Sequence, residues 1–64
     1  MSARDMFESF HAALPERDRD TLRDLIAARR ADMLAARSEE ARVRVAEEFL
    51  KDAHAALAAQ KQKK

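Results

Sequence analysis

The sequence predicts an all-α protein, and three observations carry that expectation. Glycine is absent and there is one proline in 64 residues, so almost nothing interrupts a helix. Fifteen residues are alanine, which with leucine, arginine and glutamate gives a composition of strong helix formers. Apolar residues recur at spacings of three and four, the period of a helix with one buried face.

The first helix is expected over 3–13. Ser2 precedes it as an N-cap, and Asp5 places a carboxylate beside the unpaired N–H groups and the positive end of the helix dipole. Met6, Phe7, Phe10 and Leu14 collect on one face. Pro15 disfavours a helical conformation at Leu14 and so ends the helix. The same proline suits the first position of a following helix, where its missing N–H costs nothing. The stretch LPERDRDTL, residues 14–22, resembles the opening of the helix that begins region four of bacterial sigma factors. That family continues into a helix-turn-helix. Here Arg23-Asp24-Leu25-Ile26-Ala27-Ala28 carries on as helix, so the stretch reads as a proline-initiated helix start and assigns the chain to no family.

The second helix is expected over 16–36, with an apolar face of Leu22, Leu25, Ile26, Met33 and Ala36 that Arg29 interrupts. The methylenes of Arg29 are expected to cover the core while its guanidinium reaches solvent; an interchain ion pair to Asp32 or Glu39 is the alternative. Ala27, Ala31 and Ala35 form a second stripe of small residues beside that face. Beyond Ser38 the stripe becomes Val43, Ala46, Leu50, Ala53 and Leu57, widened by Val45, Phe49 and Ala56. Glu40 with Arg44 and Glu47 with Lys51 pair on the opposite side.

The segment AARSEEARV, residues 35–43, decides the architecture. Extending the rear stripe backward puts Glu39, Asp32 and Arg29 in the seam; extending the front stripe forward puts Glu40 and Arg44 there. Neither pattern survives the crossing, and Ser38 followed by two glutamates reads as a new N-cap. The sequence therefore predicts an antiparallel helical hairpin whose second arm covers 39–60, with the short first helix packed across one end. One continuous helix from about 16 to 60 is the alternative. Residues 1–60 form a single helical domain, and 61–64 a disordered basic tail.

So short a chain buries little surface, and small scaffolds usually add a staple. There is no cysteine, which removes disulfides and thiolate zinc sites, and two histidines far apart make a poor metal site. No metal or cofactor is expected, and oligomerisation, most simply a homodimer forming a helical bundle, is the remaining staple. Met6, Phe7, Phe10 and Leu14 could otherwise form a detachable arm. His11 and His54 lie at the edges of the apolar faces and are read as boundary residues.

Net charge is +1 although 39% of residues are charged, so no strong global field draws the chain to nucleic acid or acidic lipid. No segment approaches the ~20 apolar residues of a membrane span, and the N-terminus lacks a secretory pattern; a cytoplasmic location is expected, with no membrane partner. No nucleophile, base and carboxylate fall into a catalytic pattern, so the expectation is a non-enzymatic protein–protein interaction module: an adaptor, inhibitor or regulator. Its expected interface is Phe7, Phe10, Leu14, Leu22, Ile26, Met33, Val43, Phe49, Leu50 and Leu57. The alternative is a nucleic-acid-binding dimer that uses Arg29, Arg30, Arg37, Arg42 and Arg44 near the hairpin turn.

Overall fold

The computed structural model describes residues 2–62, and for residues 61 and 62 the backbone alone. It is all-α, 88% helical, with no strand among the described residues. The elements are α1 (Ala3–Ala13), α2 (Glu16–Thr21), α3 (Arg23–Ala35) and α4 (Glu39–Gln62). The chain turns back between α3 and α4, so the hairpin forms and the continuous helix does not. Helix α4 runs two residues beyond the expected end at 60; the rest of the expected tail, 63–64, lies outside the described residues.

The serine-capped helix starts form as the sequence suggests. The Ser2 hydroxyl accepts from the Asp5 amide at 3.1 Å, and the Ser38 hydroxyl accepts from the Ala41 amide at 3.1 Å. Each serine thus satisfies one amide that the first turn leaves unpaired. Helix α1 stops at Leu14, which is extended (φ −73°, ψ 136°) as a residue before proline prefers. Pro15 is the cap itself, not the first helical residue, with φ −60° that its ring already fixes. Helix α3 stops in the same manner, at an extended Ala36 (φ −67°, ψ 139°). Among the described residues no backbone has positive φ, so both turns are made without the left-handed residue for which glycine is usually needed.

The expected single helix over 16–36 is divided at Leu22 (φ −96°, ψ 10°). The Thr21 hydroxyl donates to the Arg17 carbonyl at 3.1 Å, a back-bond to residue i−4 that bends helices. Leu22 itself is only 2% exposed, so the bend accompanies the entry of its side chain into the core.

The first helix does not lie across an end of the hairpin. The Ala3 amide meets Glu39, Phe7 stacks on Phe49, and Phe10 meets His54, so α1 runs parallel to α4 along its first half. With α2–α3 descending on α4, the three strokes make an up-down-up bundle of 41 × 17 × 17 Å. The reason is aromatic. The Phe7 and Phe49 rings stack with centroids 4.3 Å apart, and Phe10 meets Phe49 edge-on at 5.5 Å and 88°. Residues three apart lie side by side on one helix face, so Phe7 and Phe10 can share the Phe49 ring, while Ala3 and Phe10 reach Glu39 and His54 along α4 in the same order.

The core comprises Ala3, Phe7, Leu14, Leu22, Ile26, Met33, Ala46, Phe49 and Ala53. Its large fully buried side chains are Phe7 and Phe49. Met6, Phe10, Leu25, Val43, Val45, Leu50 and Leu57 pack around it half-exposed. On α4 the buried line is thus centred on Ala46, Phe49 and Ala53, with Val43 and Leu50 at its borders.

Phe49→Ala is expected to destabilise the fold by about 3–5 kcal/mol, read by urea unfolding followed by far-UV circular dichroism. Phe49→Leu should cost clearly less, because it keeps most of the volume.

Candidate interaction face between α1 and α3

Helices α1 and α3 both pack on α4, and at the turn end the space between them stays open. The resulting cleft has a volume of about 630 Å³ and is lined by Ser2, Arg4, Phe7, Glu8, Arg30, Met33, Leu34, Glu39 and Arg42. Phe7 and Met33 form its floor, since both are buried. Leu34 stands on its wall at 84% exposure.

Two ion pairs fix the cleft's shape. Arg30 binds Glu8 with both guanidinium nitrogens, at 2.7 and 3.3 Å, a forked geometry that tethers α3 to α1. Its guanidinium carbon sits 5.1 Å from the centre of the Phe7 ring, within cation–π range. At the far end Glu39 accepts from the Ala3 amide at 2.7 Å and from Arg42 Nε at 3.1 Å. One carboxylate from α4 thereby serves an unpaired amide of α1. The Ala3 amide, and then the Arg42 guanidinium, hold the Glu39 carboxyl below its ordinary value. Arg42 also reaches the Ala36 carbonyl at 3.4 Å, which accounts for a group the end of α3 leaves free.

Arg29 and Arg30 are consecutive and so point about 100° apart around the helix. While Arg30 faces α1, Arg29 faces α4, where Nη2 meets Asp52 at 2.6 Å and Nη1 meets Asp32 at 3.3 Å. The hydrogen bond to Asp52 raises the Arg29 pKa, and its Nε is buried without a partner. The ion pair is therefore within the chain, with Asp32 as one expected partner and Asp52 as an unforeseen one.

The remaining arginines are dispersed. Arg44 pairs with Glu40 at 3.5 Å, while Arg37 is exposed and makes no ion pair among the described residues. Four of the five arginines considered for nucleic acid are thus each held by a carboxylate. Of the ten residues expected at an interface, Phe7, Leu14, Leu22, Ile26, Met33 and Phe49 are placed inside the chain's own core, and Phe10, Val43, Leu50 and Leu57 at its margin. The residue that sequence reasoning passed over is Leu34. Its signal was present: a large aliphatic side chain lying off the apolar stripe. His11 is half-buried and His54 exposed, the latter edge-on to Phe10 at 5.3 Å. Among the described residues no three His, Cys, Asp or Glu side chains gather as a metal site.

Comparison with protein-family models, curated proteins and solved structures finds no match for this chain.

Two outcomes are expected here. A carboxyl whose folded pKa lies below its unfolded value stabilises the fold above that unfolded value, about 4.5 for Glu39. The contribution is lost as pH falls through the folded pKa. Glu39→Gln should therefore be less stable than the parent at pH 6, with the two converging in acid, as read by thermal melts at stepped pH. A double-mutant cycle of Arg29→Met and Asp52→Asn should return a coupling of about 0.5–1 kcal/mol, because both groups retain solvent contact.

Proposed function

We propose that this is a small, non-enzymatic, cytoplasmic helical-bundle protein that works as a homodimeric protein–protein interaction module: an adaptor, inhibitor or regulator. The single observation that carries this reading is Leu34, 84% exposed on the wall of an open cleft whose floor is Phe7 and Met33. A large aliphatic group beside an apolar concavity, rimmed by charged residues, is the arrangement of an interface anchor and its pocket.

The rim supports a protein partner over a nucleic acid. Arg30 and Arg42 already neutralise Glu8 and Glu39, so the face offers few free cations for phosphates. Among the described residues no helix is long and apolar enough to cross a membrane.

The test is retention of a cellular partner on the immobilised chain and on Leu34→Glu. The variant should lose at least ~10-fold of the retained protein, with an unchanged far-UV spectrum, while Leu34→Met retains it. Equal capture by the parent and Leu34→Glu would sink the reading.

A further inference from the structure

We propose that a second copy of this chain occupies the Leu34 face, its α3 laid antiparallel on α3 about a two-fold axis passing between Arg30 and Ala31. This deepens the reading above and rests on its premise that the face is an interface.

The first argument is register. Asp24, Ala27, Ala31 and Leu34 of α3 follow one another at spacings of 3, 4 and 3 and are all exposed, so they line one outward seam of the helix. A two-fold between residues 30 and 31 sets residue 27 opposite residue 34 of the second copy. The large Leu34 side chain then meets Ala27, a knob against a small residue, and it does so twice by symmetry.

Charge supplies the second argument. The same axis brings Asp24 just past the end of the other copy's α3, where Arg37 stands in the turn. Both are exposed, and neither makes an ion pair among the described residues. A parallel arrangement would instead place Asp24 beside Asp24 and Arg37 beside Arg37, which is repulsive.

Light scattering coupled to size exclusion tests this, with refractive-index detection because the chain has no Trp or Tyr. The parent should run at twice 7.3 kDa. Leu34→Glu should raise the dimer dissociation constant at least ~100-fold with its helix content unchanged. Asp24→Arg and Arg37→Asp should each raise it roughly 10-fold, and the two together should restore the parent value. A parent chain that stays monomeric up to about 1 mM overturns the proposal. So does a dimer that Leu34→Glu leaves intact, or one that the paired charge reversal fails to rescue. A monomer that still loses a cellular partner through Leu34→Glu overturns the second copy and the homodimer, and leaves only the partner-binding part of the reading standing. A dimer dissolved by that variant with partner capture intact supports the second copy and removes the face from partner binding.

Discussion

The chain has three phenylalanines and neither Trp nor Tyr, and Phe7, Phe10 and Phe49 all meet at one point on α4. Aromatic rings bury more area than any other side chain. In a core otherwise made of alanine, leucine, isoleucine and methionine, that meeting point fixes where the helices go. Phe7 and Phe10 share the Phe49 ring, and Phe10 reaches on to His54, with α1 lengthwise beside α4. With α1 there, α3 can share α4 but cannot close on α1 along its whole length. The cleft above Phe7 and Met33 is the space left over, and the Arg30–Glu8 fork spans it in place of packed side chains.

Much of this is local and therefore legible in the sequence. Ser2, Pro15 and Ser38 act through hydrogen bonds and dihedral angles within a few residues, so helix starts can be read without tertiary knowledge. The hairpin is legible for a related reason. Two apolar stripes that cannot be joined in one frame leave the chain no way to bury both in a straight helix. Even the missing glycine proves no obstacle, because extended Leu14 and Ala36 end their helices at negative φ.

What the sequence conceals depends on side chains reaching between elements. The direction of α1 is set by contacts between residues about forty positions apart, Phe7 and Phe10 with Phe49 and His54. The bend at Leu22 needs a threonine back-bond that composition cannot weigh against helix propensity. Arg29 looks like an interruption of an apolar face, yet Asp52, from the other arm, turns it into a clasp. The candidate site is hidden most deeply. A periodicity argument asks which residues lie on the stripe, and Leu34 matters because it lies off it. The apolar residues nominated for an interface are the ones the monomer consumes, so the surface left for others is defined by exception.

The parallel course of α1 and α4 has an electrical consequence. Both helices begin at the turn end of the bundle, and only α2–α3 finishes there. Peptide dipoles of the first two therefore add, and the shorter descending stroke cancels them in part. The charged side chains at that end balance, Arg4, Arg30, Arg37, Arg42 and Arg44 against Asp5, Glu8, Asp32, Glu39 and Glu40, so the helix dipoles decide the sign of the field there. A molecule with a net charge of +1 is thereby polarised along its long axis, positive at the turn. Glu39 sits between the two helix beginnings, where a negative group relieves their mutual repulsion. Two such molecules placed side by side settle head to tail, and an antiparallel pair carries no moment along that axis.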